Sequence, residues 1–341
     1  MPSDLPDASD RSGTGLMNGV VRMVVLVGID EAGFGPILGP LVVSSSTFAL
    51  PHHLLASDLW QVLHKSLSDK RKRLAGRLLV ADSKKAYSRA LGIKHLERTV
   101  LTMLKCLGKE PATLGELLEM LAPRFLEQLR DYPWYESAGA GVLVADMADR
   151  DIASAAMTRD LATNGIELLE LRSYPLEVAH YNKMVAAVKN KADVLFTATS
   201  SLIKHAFDSA PSDELQVIVD RQGGRVRYRS NLQRMFEDTE LTILRESPTT
   251  SSYELQGQGK RMRVHFVVGA DSRFLPVSLA SMVSKYLREL LMGNINSYFA
   301  RFGAGLKPTA GYWQDGLRFI QDIKTNLPHV KFDSNQLIRC R

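Results

Sequence analysis

VRMVVLVGIDEAGFGPILGPLVVSSSTFAL, residues 21–50, organises the rest of the chain around itself. Val21 to Ile29 is a continuous β-branched and aliphatic run, the composition of a buried strand, and it stops on a carboxylate pair, Asp30-Glu31. Gly33, Gly35, Pro36 and Gly39 punctuate the next ten residues, and Pro40 to Leu50 is a second apolar segment. The reading is strand, tight turn, strand, with two acids where the first strand gives way to the turn.

Two further strand signals run into an acid. Leu215 to Val219 (LQVIV) leads directly to Asp220, and Arg263 to Val268 (RVHFVV) passes through Gly269 and Ala270 to Asp271. A shorter apolar run, Arg77 to Asp82, is followed by Ser83, Lys84 and Lys85. Helical patterns cover Gly92 to Leu107, Leu114 to Arg130 and Glu177 to Ala210, and Pro276 suits the first turn of a long helix reaching about Phe302. Arg225 to Leu244 is a mixture, followed by a Ser/Thr-rich loop. Residues from about 108 to 165, with the aromatic turn Tyr132–Tyr135 and the break at Gly139 and Gly141, read as an inserted helical subdomain. Alternating strands and helices predict an α/β fold. The expected organisation is a disordered tail over 1–20, one domain over 21–341 with the helical insertion, and a basic helical region at about 276–341.

The bulk properties suit a globular enzyme, with 45% hydrophobic and 23% charged residues. Cys106 and Cys340 match no metal-ligand or disulfide pattern, and a reducing, cytoplasmic setting is expected. The most apolar stretch, Val20 to Val43, carries Asp30 and Glu31 in its middle, so no membrane span is expected. The first residues lack the basic start and apolar centre of a signal peptide. Net charge is +6, but Asp220 to Arg341 holds 19 Lys and Arg against 11 Asp and Glu, a bias that suits a polyanionic partner. A monomer is expected, with protein partners unspecified.

Singly, a carboxylate at a strand end is a turn former or helix cap. Four of them, Asp30, Glu31, Asp220 and Asp271, converging from strand ends of one sheet would repel unless cations intervened. Oxygen donors of that kind suit Mg²⁺ or Mn²⁺, and two such ions support phosphodiester hydrolysis without a side-chain nucleophile. No Gly-x-Ser-x-Gly or paired-His motif competes with this reading. The glycines at 33, 35 and 39 are neither a dinucleotide fingerprint nor a phosphate-binding Walker loop.

GIDEAGFGPILGPLVV, from Gly28 to Val43, resembles the signature of type 2 ribonuclease H, Gly-x-Asp-Glu-Ala-Gly-Arg-Gly-Pro followed by a Gly-Pro strand. Asp82-Ser83-Lys84-Lys85 is similar to that family's Asp-Ser-Lys-Lys element, and Ala270-Asp271-Ser272 through Pro276–Ser281 to Lys285 to its Ala-Asp…Pro-Val-Ser-Ala-Ala-Ser…Lys segment. The resemblance implies a ribonuclease H-like fold with a mixed central sheet flanked by helices. It implies Asp30, Glu31, Asp220 and Asp271 as catalytic, metal-binding carboxylates, and as substrate an RNA/DNA hybrid or a ribonucleotide embedded in duplex DNA, cut to 3′-hydroxyl and 5′-phosphate ends. Gly33, Phe34 and Gly35 would face the ribose 2′-hydroxyl, Tyr312 the sugar at the junction, and Ser83, Lys84, Lys85 and Lys285 the phosphates or the metal site. Phe34 stands where the signature has Arg, Gly269 where it has Lys, and Asp220-Arg221-Gln222-Gly223 is a loose third motif. Two alternatives stay open: a nucleic-acid-binding module of the same fold with weak chemistry, and a nuclease aimed at another nucleic-acid structure.

Overall fold

β1 (Met23–Ala32) and β2 (Leu41–Pro51) pair antiparallel over their whole lengths, Met23 opposite Pro51 and Ala32 opposite Val42, as the opening stretch predicts. The computed structural model describes residues 21–87, 91–123, 125–136, 139, 141–143, 146–303 and 305–340. The tail expected at 1–20 lies outside them.

In chain order there come next α1 (Leu59–Val62), the two-residue strands β3 (Leu67–Ser68) and β4 (Leu78–Leu79), α2 (Ser83–Ala86) and α3 (Lys94–Cys106). Beyond these lie α4 (Leu114–Leu121), α5 (Phe125–Gln128) and α6 (Met147–Thr163), then β5 (Glu167–Leu176), α7 (Val178–Val188), α8 (Lys191–Ser209) and β6 (Glu214–Asp220). The chain continues with α9 (Arg229–Met235), β7 (Glu240–Glu246), β8 (Thr250–Gly257) and β9 (Lys260–Val267), and closes on α10 (Leu275–Ala300), α11 (Trp313–Asn326) and α12 (Ser334–Leu337).

The main sheet has seven strands in the order β5-β2-β1-β6-β9-β8-β7. β1, β6 and β9 run parallel; β5 and β2 on one side, and β8 and β7 on the other, are antiparallel to their neighbours. This is the α/β architecture expected, a mixed central sheet flanked by helices. Among the described residues no helix is long and apolar enough to cross a membrane.

The pleat of β1 divides the core. Val24 and Leu26 face a cluster built with α3 and α10, whereas Val25, Val27 and Ile29 face a second cluster built with α8 and α9. Each such side chain, fully removed from water, contributes roughly 1.5–3 kcal/mol. α10 crosses β1 and β2 at very short range. A Cβ on Gly28 would lie 2.1 Å from the carbonyl carbon of Pro276, so only glycine admits the helix there. Beneath it the buried serines of β2 are satisfied, Ser46 donating to the Pro276 carbonyl at 2.7 Å and Ser44 pairing with Ser173 at 2.8 Å.

Several segments differ from their sequence reading. Leu114–Arg130 is not one helix: it stops at Leu121, because Pro123 disfavours helical backbone at Ala122, and resumes as α5 and a 3₁₀ turn. Glu177–Ala210 splits at Lys189, which is left-handed (φ 55°), and Asn190 caps the second piece through the Ala192 amide. The Ser/Thr-rich stretch after Leu244 is the start of β8, whose Thr250, Ser251 and Ser252 are buried.

Candidate active site

β1 and β6 are in parallel register with Ile29 opposite Val219, so Asp30 and Asp220 leave the sheet side by side. Val267 of β9 lies opposite Asp220, and four residues on, a one-turn 3₁₀ segment (Ala270–Ser272) carries Asp271. Gly269 turns the chain there in a left-handed conformation (φ 64°). The Asp220 carboxylate accepts the Ala270 amide at 2.6 Å, which fixes this turn against the end of β6. Three neighbouring strand ends thus deliver four carboxyl groups to one edge of the sheet.

Burial and neighbouring acids raise every one of them. Asp30, only 6% exposed, is held well above the ordinary aspartate value, first by burial and then by Glu31 and Asp220, with the Ser281 hydroxyl acting in the opposite sense. Glu31 is pushed up to about 8 by burial and then by Asp220. Burial and Asp271 lift Asp220 to about 6, and burial and Asp82 raise Asp271. Lys84 is the answering cation: burial pulls its ammonium down, but Asp82, Asp271, Asp30 and Asp220 together outweigh this and raise it.

Coulombic coupling reaches farther than a ligand bond. Among the described residues no three His, Cys, Asp or Glu side chains are gathered closely enough to enclose a metal ion as they stand. The chemistry of the donor set nonetheless fits hard divalent cations: four carboxylates, crowded and partly desolvated, whose charged forms are disfavoured until positive charge arrives.

The other predicted residues divide. Ser83 is buried in α2 and accepts a 3.1 Å hydrogen bond from Ser281 of α10, so it belongs to the wall of the acidic corner. Lys85, on the same turn, is exposed and makes no ion pair among the described residues. Lys285 points along its own helix, 2.6 Å from Glu289 and 4.4 Å from the centre of the Tyr87 ring, and makes no ion pair with the four acids. Gly33 has φ 92°, and a Cβ there would meet Arg288 and, at 2.8 Å, the Pro40 carbonyl; Gly35 is exposed with open space around it. Phe34 is half-buried beneath the Lys191 ammonium, 5.2 Å from its ring centre. The Gly311 carbonyl accepts the Ile37 and Leu38 amides at 2.8 and 3.2 Å, which brings the half-exposed Tyr312 beside the glycine turn.

Four participants were not among the residues singled out from sequence. Asp82 shares a hydrogen bond with Asp271, and Ser281 reaches both Asp30 and Ser83. Both lie inside the Asp82–Lys85 and Pro276–Ser281 motifs and could have been found there. Arg288 and Arg339, almost wholly buried, brace the glycine turn from below: Arg288 donates to the Leu38 and Ala310 carbonyls, and Arg339 to those of Gly39, at 2.7 Å, and Gly33. Arg339 is pulled down to about 9 by burial and then by Arg288. No local pattern marks either arginine.

No family profile matches the chain, and no curated protein matches it. Solved structures do. The chain is similar to one from the PCNA:RNase HII complex of Archaeoglobus fulgidus, at 15% identity over 93% of this chain and 94% of that one, with a TM-score of 0.43. It is similar to Bst-RNase HIII in complex with Mn²⁺, at 14% identity over 93% and 66% of the two chains, TM-score 0.39. Ribonuclease H2 from Pyrococcus horikoshii matches at 13% identity over 92% of each chain, TM-score 0.38. The similar solved structures are type 2 ribonucleases H, at low identity.

Proposed function

We propose that this chain is a metal-dependent endoribonuclease that cuts the RNA strand of RNA/DNA hybrids, or ribonucleotides embedded in duplex DNA, leaving 3′-hydroxyl and 5′-phosphate ends. One observation carries the proposal: Asp30, Glu31, Asp220 and Asp271 lie at a single sheet edge where burial and neighbouring acids raise all four, Asp271 through Asp82, and where Lys84 is held in its charged form. The motif resemblance around Gly28–Val43 and Asp82–Lys85 supplies the substrate class.

The four carboxylates would hold Mg²⁺ or Mn²⁺. Bound divalent cations supply a nucleophile at neutral pH and neutralise charge developing at the phosphate. The protein's own contribution is positional. The parallel register of β1 and β6 sets Asp30 beside Asp220, the Ala270 amide orients the Asp220 carboxylate, and the Ser281 hydroxyl favours the charged form of Asp30. Lys84 adds a cation at the rim where a phosphate would approach, and the backbone of Gly33–Gly35 offers the close approach that a ribose 2′-hydroxyl needs. The test is cleavage of three labelled duplexes, one with a single ribonucleotide, one RNA/DNA hybrid and one of pure DNA, in Mg²⁺ or Mn²⁺. Cutting of the RNA-containing duplexes alone is expected; folded protein that cuts none of them overturns the proposal.

A second reading rests on the acids not being gathered into a metal cage: a binding module of the same fold with weak chemistry. It requires tight, salt-sensitive duplex binding with no metal-dependent product.

A further inference from the structure

A cavity of about 250 Å³ opens beside the glycine turn, which follows the Asp30-Glu31 pair in the chain. Phe34 and Ile37 form one wall, Tyr181 of α7 and Lys191 at the start of α8 another, and Trp313 at the start of α11 a third, with Arg339 also lining it. Its volume is the room of about eight waters, too small for most drug-sized ligands and adequate for one planar ring system. Three of these six residues are aromatic, and Trp313 is 42% exposed.

The polar groups are as specific as the rings. Lys191 is exposed, stands over the Phe34 ring and has no carboxylate partner among the described residues. Arg339, 4% exposed, lies 5.1 Å from the Tyr181 ring centre, and its Nη2 has no hydrogen-bond partner among the described residues. The first turn of α11, a helix of fourteen residues, has no side-chain cap, so its amide dipoles join Lys191 in favouring an anion close by. A flat, π-faced group carrying acceptor atoms, attached to a phosphate, satisfies all of these at once.

A larger cavity, of about 790 Å³, lies at the opposite end of the same strands. Its cations are already engaged, Arg22 and Arg261 with Glu214 and Lys260 with the carbonyls that end α8, and it has no aromatic wall.

We infer that the smaller cavity receives an unpaired nucleobase of the bound nucleic acid, with Trp313 offering a ring face, Arg339 a donor, and Lys191, seated over Phe34, the contact to that nucleotide's phosphate. The inference rests on the proposed nuclease reading and narrows its substrate: Phe34 directly follows Gly33, three residues from Glu31, so the occupant is a nucleotide next to the one presented to the acids. The preferred substrate is then an RNA-containing duplex with a bulged or mismatched nucleotide flanking the ribonucleotide, because extruding such a base costs least.

The test measures binding without cleavage. Full-length protein in EDTA is titrated into two duplexes containing one ribonucleotide, one fully paired and one with an unpaired 2-aminopurine beside it, followed by anisotropy and by 2-aminopurine emission. The expected result is tighter binding of the bulged duplex, with a change in emission as the base leaves water for an aromatic wall. Trp313→Ala and Lys191→Gln should each weaken binding of the bulged duplex by about tenfold and leave the paired duplex within about twofold. Bound bulged duplex with unchanged emission, or equal losses on both duplexes, overturns the inference. Because no metal or turnover is involved, a protein that passes this test yet cuts nothing refutes the hydrolytic reading alone.

Discussion

The Asp220 carboxylate accepts the backbone amide of Ala270 at 2.6 Å, so the end of β6 holds the turn that presents Asp271. Asp271, which raises Asp220, is hydrogen-bonded in its turn to Asp82.

Replacing Asp30 or Asp220 by Asn should remove turnover and strengthen the metal-free fold together. A single lost charge contact at a reacting centre costs about 10²–10³ in rate. The same change relieves burial and repulsion in the absence of cations. Melting curves in EDTA should show the Asn variants at higher temperature than the parent, and Mg²⁺ or Mn²⁺ should raise the parent selectively. An Asn variant that melts lower in EDTA contradicts the electrostatic account.

Lys84 and Lys85 should separate cleanly although they are adjacent. Lys84→Met removes the cation that four acids attract. It should therefore raise apparent Mn²⁺ affinity while weakening duplex binding and lowering its salt slope by about 1. Lys85→Met should leave both quantities within about twofold of the parent. Calorimetry for the ion and anisotropy across a salt series supply the readings.

Gly28→Ala should be among the most damaging single-methyl changes in the chain. The added carbon has Pro276 backbone atoms 2.1 and 2.5 Å away, which cannot rotate aside as a side chain could. A loss of roughly 3 kcal/mol in urea unfolding is expected. Gly35→Ala, whose new methyl meets open space, should change stability by less than about 1 kcal/mol and serves as its control.

His265 should shape the acid limb of stability. It is buried between Ser252 and Gln216 and pushed down to about 3 by burial and then by Arg263. Unfolded chain gains its proton near 6.5 and the folded protein does not. The neutral ring's contribution is therefore complete above pH 6.5 and is lost progressively as pH falls toward 3. His265→Gln should flatten unfolding free energy between those values relative to the parent, whatever its effect at higher pH.

The sequence was most readable where the fold is most repetitive. β1 and β6 carry aliphatic runs buried on both faces, β9 ends in the buried Val264–Val267, and each runs toward an acid, so strands and carboxylates could be read together. β7 escaped because it is an edge strand with most positions exposed, which leaves no alternation to see, and β8 because its buried Thr250, Ser251 and Ser252 look like a loop. Tertiary hydrogen bonds keep them there: Ser251 meets Arg221 at 2.8 Å, and Ser252 meets His265 at 2.9 Å. The acidic corner was foreshadowed by composition, whereas its supports were not. Ser281 and Asp82 act through contacts between distant segments, and Lys285 shows the converse, a residue in the right motif whose charge is taken up by Glu289 one helical turn away.

Arg339 braces a turn that precedes it by some three hundred residues, donating to carbonyls of Gly33 and Gly39. That turn is synthesised before the strands that follow it and receives this clasp only after all of them. A chain that stops short of Arg339 would carry all four acids and every strand of the sheet, yet leave the glycine turn unclasped. In the nuclease proposed above, selection of the substrate would thus mature after the bulk of the fold.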